Sequence, residues 1–264
     1  MKPSTEVLLK ENLKLLKLSN VLRQLETFIR QAKESGTDYG EFLLGLTDLE
    51  IQMRAENRLR RRIREARFPL IKTLQAFDFN AAPGLDLRLL RELETGDYIR
   101  ERRNVILLGN SGTGKTHLGT GLGVAACGQG FITRFVTGCG LANELIEAQS
   151  ARNLSRAIQR TARSDLLVLD ELGYVPFSKE GSQLLFQVLA ERHERGSVII
   201  TTNLGFADWT QVFGDATLTA ALLDRLTHNA HIIYCNWESY RLKETLKAKK
   251  RSADKQIVTD QLKP

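Results

Sequence analysis

The sequence predicts an α/β fold: a parallel five-stranded sheet with helices on both faces, preceded by a small all-helical N-terminal domain. Three observations carry this. Five short apolar runs (Asn104–Leu108, Phe131–Val136, Leu166–Leu169, Ser197–Thr201 and His231–Cys235) alternate with helical stretches. Uninterrupted apolar strands of this kind are buried on both faces, as crossover helices require. The first 80 or so residues hold leucines at helical spacing instead. The composition, 42% hydrophobic and 26% charged, is that of a globular chain, which excludes wholesale disorder and fibrous scaffolds.

Taken in order, residues 5–34 read as a helix, with Leu15, Leu18, Leu22, Leu25 and Ile29 recurring at intervals of three and four along one stripe. Ser35-Gly36-Thr37-Asp38 breaks it. A second helix is expected from about Tyr39 to Ala66, amphipathic through Phe42, Leu43, Leu46, Leu49 and Met53 and then arginine-rich, until Phe68-Pro69 stops it. Pro83-Gly84 lies at the centre of residues 78–88, which read as a linker. Helices are expected near 115–128, 140–163, 180–195 and 206–227. The organisation that follows is a basic helical domain over 1–80, a linker over 81–95, an alternating strand-and-helix domain over 96–250 and a basic tail over 251–264.

No window approaches 18 uninterrupted apolar residues, so no membrane-spanning helix is expected, and Met1–Lys10 lacks the form of a signal peptide. Cys127, Cys139 and Cys235 fall in no paired or metal-knuckle spacing, which points to a reducing cytoplasm. His228 and His231 have no carboxylate or cysteine cluster beside them and read as packing residues.

The chemistry begins at Gly109-Asn110-Ser111-Gly112-Thr113-Gly114-Lys115-Thr116, which matches the P-loop pattern between a strand and a helix. Its glycines let backbone N–H groups turn inward around phosphate oxygens, and the helix N-terminus adds positive potential. Lys115 is placed to reach the β and γ phosphates of a nucleotide, and the Thr116 hydroxyl to ligate Mg²⁺. A second apolar strand ends in Asp170-Glu171, where Asp170 would hold Mg²⁺ and Glu171 would polarise the attacking water. A third ends in Thr201-Thr202-Asn203, whose amide would orient that water; an asparagine turn cap is the plainer reading. Arg225, late in a helix, is either a charge-neutralising arginine for phosphoryl transfer or surface charge, and Arg241 is a weaker candidate of the same kind. A GTPase or small-molecule kinase is disfavoured, because no guanine-reading N-K-x-D is present.

The net charge is +7, and it is concentrated. Residues 51–72 carry eight basic and two acidic residues, and residues 241–264 carry eight basic and three acidic ones. Arg54, Arg58, Arg61, Arg62 and Arg64 fall on adjacent faces of one helix, suited to a duplex-DNA backbone, to an acidic protein partner or to solvent. Lys249 and Lys250, within Lys247–Arg251, are a further DNA-contact candidate or a solvated tail.

Together these motifs resemble the IstB family. The resemblance rests on the P-loop followed by His117-Leu118, on Asp170-Glu171-Leu172, on Thr201-Thr202-Asn203, on ALLDRL at 221–226 and on ESYR at 238–241. Arg54–Arg67, Phe68-Pro69, Lys72-Thr73-Leu74 and Phe77-Asp78-Phe79 extend it over nearly the whole chain. That family is the ATP-binding helper of transposition in one group of bacterial insertion sequences, kin to the DnaC-type helicase loaders of the AAA+ class. The resemblance implies a P-loop AAA+ fold, ATP and Mg²⁺ as ligands, side-by-side homo-oligomers on duplex DNA and a cognate transposase as partner. It implies Asp170 and Glu171 as Walker B, Asn203 as sensor 1, Arg225 as an arginine finger acting on a neighbour's ATP and Arg241 as a sensor-2 arginine. Only 29 residues follow Cys235, too few for a full helical lid. A helicase loader acting on a replicative helicase is the rival function. Tyr98 and Ile99, just upstream of the first strand, are the candidates for an adenine pocket.

Overall fold

The computed structural model describes residues 3–240, in two compact units that divide between Arg61 and Arg62. Arg241, Lys249, Lys250 and the 251–264 tail lie outside the described residues.

In the first unit, α1 (Pro3–Leu15), α2 (Ser19–Ser35) and most of α3 (Tyr39–Ala66) pack around Leu13, Val21, Leu25 and Leu46. The single helix expected over 5–34 is two. Lys17 takes a left-handed conformation, with φ at 57°, and turns the chain, which leaves Leu15 of the expected stripe exposed. Glu50, buried on α3, secures the start of α2. Its carboxylate accepts the backbone N–H groups of Asn20 and Val21 at 3.2 and 3.3 Å and pairs with Arg54 at 2.7 Å. Burial pushes the Glu50 carboxyl up, but the Arg54 guanidinium and the two amides outweigh it and hold the group below its ordinary range. A depressed carboxylate stabilises the fold above the unfolded-state value, about 4.3, and that stabilisation is lost as pH falls through the lower folded value. Glu50→Gln is therefore expected to cost about 1–2 kcal/mol at neutral pH, in the range of a lost helix cap. The gap between the two proteins should close below about pH 4 as the wild-type carboxylate protonates. Hydrogen exchange at Asn20 and Val21, followed against pH, checks this; a gap independent of pH would contradict it.

The second unit is a five-stranded parallel sheet of β1 (Val105–Gly109), β2 (Thr133–Thr137), β3 (Leu166–Asp170), β4 (Ser197–Thr202) and β5 (His231–Cys235), in the order β2-β3-β4-β1-β5. Strand residues alternate between the faces. Val105, Leu107, Leu166, Val168, Ile199 and Ile233 enter one core, with Leu90 and Leu93 of α4 (Leu87–Glu94) and Leu118 and Leu122 of α6 (Lys115–Gln129). Leu167, Leu169, Val198 and Ile200 enter the other, with residues of α7 (Gly138–Ser150), α8 (Leu154–Ala162), α9 (Lys179–Arg192), α10 (Trp209–Phe213) and α11 (Ala216–Thr227). A short α5 (Asp97–Arg100) leads into β1. This is the P-loop AAA+ architecture that the family resemblance implies.

Two expected helices are divided here as well. Arg152, with φ at 55°, separates α7 from α8, and Gly214, with φ at 73°, separates α10 from α11. Residues 68–82 are not slack. Phe68 meets Phe135 edge-on, and Leu74 is buried against α6. A Cβ at Gly121 would stand 2.7 Å from the Leu74 side chain, and one at Gly123 would stand 2.8 Å from the Phe68 ring. Absent side chains are what let this segment lie along the helix.

Candidate nucleotide site

The sheet order places the site. β4 lies between β1 and β3, so the carboxyl ends of three neighbouring strands meet at one crevice. Register aligns Leu108 with Thr202 and Leu169 with Ile200, which sets Asp170 level with Thr201 and the start of the loop level with Asn203.

Gly112 and Gly114 have φ of 81° and 91°, the left-handed region that lets the loop curl before α6 begins. Lys115 Nζ donates to the carbonyls of Gly109 and Asn110, both at 2.7 Å, and so is held over the loop. Thr116 Oγ1 donates to Asp170 Oδ1 at 3.0 Å, across from one strand end to another. Two hard oxygens side by side suit Mg²⁺, which takes one or two protein ligands and completes its shell with water and phosphate. Among the described residues no cluster of three or more histidine, cysteine or carboxylate ligands offers a richer site.

Thr201 was missed as a site residue by sequence reasoning. Its hydroxyl donates to Asp170 Oδ1 at 2.5 Å and accepts the Glu171 N–H at 2.9 Å. It thus fixes both acidic residues from the neighbouring strand. Glu171 sits at φ 54° and is exposed toward the cavity, as is Asn203. The Thr201-Thr202-Asn203 triplet holds part of the signal, but the pairing of β4 with β3 is what sets the Thr201 hydroxyl against Asp170.

The cavity has a volume of about 400 Å³. Ser111 to Thr116, Glu171 and Thr201 to Asn203 line one part of it, and Lys72, Ala76, Phe77, Asp78 and Ala81 line another. Phe77 packs edge-on against His117, with ring centroids 5.2 Å apart, and the His117 Nε2 meets the Thr73 carbonyl at 2.9 Å. Burial lowers the His117 pKa, so the neutral ring with Nε2 protonated donates that bond. The other wall is held from the chain after β5. Trp237 Nε1 donates to the Thr113 carbonyl at 2.8 Å, and the Tyr240 N–H donates to the Gly112 carbonyl at 3.0 Å.

Tyr98 and Ile99 do not line this cavity. Both are buried in the sheet core, because α5 points them beneath β1 rather than toward the loop. Arg225 does not line it either. The end of α11 carries it over the Phe186 ring, 5.0 Å from the centroid, with Nη1 buried and without a hydrogen-bond partner among the described atoms. His228, exposed, meets His193 edge-on, and the half-buried His231 begins β5. Among the arginines of α3, Arg58 and Arg64 are exposed, as is Arg61, and Arg62 is half-buried with its guanidinium beside Gly130. Arg54 is already engaged by Glu50 and by the Lys17 carbonyl at 2.8 Å, so its charge ties the helices of the first unit together.

The family model for IstB-like ATP-binding proteins matches residues 11–248. The protein named as the ATP-binding protein of insertion sequence IS21 in Pseudomonas aeruginosa is 40% identical over 233 residues, 88% of either chain. The corresponding protein named for insertion sequence IS5376 in Geobacillus stearothermophilus is 36% identical over 81% of this chain and 85% of its own. In fold, the chain is similar to the DnaC helicase loader, with a TM-score of 0.53 at 17% identity over 65% of this chain and 99% of that one. AMPPCP-bound DnaA from Aquifex aeolicus gives 0.55 at 17% identity, over 69% and 56%. A glycine loop, a strand-end acidic pair and a polar β4 terminus around one cavity, matched along nearly the full length, have one consequence: the chain belongs to the family of IstB-like ATP-binding proteins.

Proposed function

We propose that this protein is an ATP-hydrolysing switch that assembles side by side on duplex DNA and assists a transposase in choosing and using its target. The observation that carries the reading is the convergence of Lys115, Thr116, Glu171 and Asn203 on one cavity, with Asp170 bonded to Thr116 directly behind it. Lys115 exchanges its two loop carbonyls for phosphate oxygens, a gain in charge-assisted bonding. Thr116 and Asp170 hold Mg²⁺, which when bound neutralises charge on the phosphates. Glu171 takes the proton of the attacking water, and Asn203 orients that water. Thr201 keeps Asp170 and Glu171 in register. Phe77, Ala76 and Ala81 give the nucleobase an apolar wall. Arg225, lying outside its own cavity, serves the cavity of a neighbouring subunit. The relatives named for insertion sequences cover 88% of this chain or close to it, whereas the likeness to the helicase loader is one of fold alone, which favours the transposition helper over the loader.

Duplex DNA is expected to stimulate phosphate release, and the α3 arginines to supply part of the contact. Neutralising Arg58, Arg61 and Arg62 together should weaken binding to unrelated duplexes alike. It should also make the slope of log affinity against log salt shallower by about 0.9 per lost contact. An unchanged slope would assign these arginines to a protein partner or to solvent.

A further inference from the structure

A second basic surface lies on the sheet unit, on the crossover between β2 and β3. Residues 151–163 carry Arg152, Arg156, Arg160 and Arg163 and no carboxylate. Arg156 and Arg160 on α8 and Arg163 at its C-cap fall at intervals of four and three, on one face, and Arg152 stands four residues before Arg156. All four are exposed, while Ala157, Ile158 and Thr161 turn the opposite face into the core. Like charges at i,i+4 destabilise a helix by a few tenths of a kcal/mol each, so the helix alone gains nothing from this stripe.

The surroundings do not neutralise it. Glu144 is the single carboxylate lining the groove beside α8, and both its oxygens are taken, one by Arg160 and one by Arg134 at 2.5 Å. Burial first, and then repulsion from Arg160 and Arg67, act on the Arg134 guanidinium against the pull of Glu144, so Glu144 has no oxygen left for the rest of the stripe. Arg152, Arg156 and Arg163 form no ion pair among the described residues. Asn153 offers no side-chain acceptor to the first turn of α8, so the positive end of the helix opens on the same groove. From Arg156 to Arg163 the helix rises about 10 Å. That is the axial length of about three base pairs at about 3.4 Å each. No residue of the groove lines the nucleotide cavity.

We propose that Arg152, Arg156 and Arg163 form a second, sequence-independent contact with the phosphate backbone of duplex DNA, separate from the arginines of α3. This rests on the DNA-binding reading above. The stripe fits a polyanion of regular pitch, because it offers several unpaired guanidinium groups in a row with no apolar pocket among them.

The full-length protein with ATP, titrated with two unrelated duplexes across a salt series, tests this. Changing Arg152, Arg156 and Arg163 to glutamine together should reduce the salt slope by about 2.7, and Arg163→Gln alone by about 0.9. The same three positions changed to lysine should keep the slope, because they keep the charge. Nucleotide affinity should match the wild type in every variant, which separates lost contact from lost fold. A glutamine triple variant with the wild-type slope, in a protein that binds duplex, overturns the second contact and leaves the stripe to an acidic protein partner. A wild type that binds no duplex at any salt defeats the DNA reading itself and this inference with it.

Discussion

ATP turnover is expected to fall by about 10³-fold or more when Arg225 is replaced by alanine, the scale of a lost arginine finger. Replacing Lys115 by alanine should abolish it by another route, loss of tight nucleotide binding. Neither variant should hydrolyse ATP alone, yet a mixture should recover part of the activity. An Arg225→Ala subunit keeps an intact cavity, and a Lys115→Ala neighbour supplies the arginine. The structural motive is that Arg225 lies over Phe186 at the end of α11 and lines a smaller cavity than the one holding Lys115. It lines no part of the cavity that holds its own subunit's Lys115. Turnover should also rise faster than linearly with protein concentration. The measurement is phosphate release from mixtures whose co-assembly on DNA has first been demonstrated. Co-assembly without recovered activity, or normal hydrolysis by Arg225→Ala, would return this residue to a packing role.

The second large effect separates binding from chemistry. Glu171→Gln should bind ATP about as well as the wild type and turn over at least about 10²-fold more slowly, the lower bound for a lost general base. The reason is geometric. Thr116 and Asp170 are joined at 3.0 Å without help from the Glu171 side chain, and Thr201 binds Glu171 through its backbone N–H, so the amide variant leaves the metal-holding pair in place. Nucleotide affinity and phosphate release measured side by side check it. Wild-type turnover by Glu171→Gln would place the water-activating group elsewhere.

The five strands were legible because a parallel strand buried on both faces leaves an uninterrupted apolar run, and His231–Cys235 was read to the residue. The helix breaks at Lys17 and Arg152 were not. Both residues adopt left-handed conformations without the glycine or proline that marks a turn in sequence. The phosphate-binding loop was legible because one contiguous stretch forms it. The apolar wall of the cavity was not, because Phe77 and Ala81 come from a segment that reads as loop and linker and that reaches the cavity only by lying along α6. Tyr98 and Ile99 stand next to β1 along the chain, but burial in the core decides their position. Thr201 became visible only once β3 and β4 were paired in register.

The glycines of α6 reach beyond packing. Gly119, Gly121, Gly123 and Gly128 fall within a 15-residue helix, and each weakens it by about 1 kcal/mol relative to alanine. As an isolated segment this helix would be a poor one. Its permanence is borrowed in part from Leu74 and Phe68, which fill the room that Gly121 and Gly123 leave. The helix that opens with Lys115 and the chain that precedes the sheet by some thirty residues therefore melt together, as one cooperative block. A minimal ATPase cut out at residue 80 would lose more than one wall of its cavity. It would also expose the sparse flank of the helix on which the phosphate loop stands, so the smallest autonomous catalytic fragment begins upstream of Phe68.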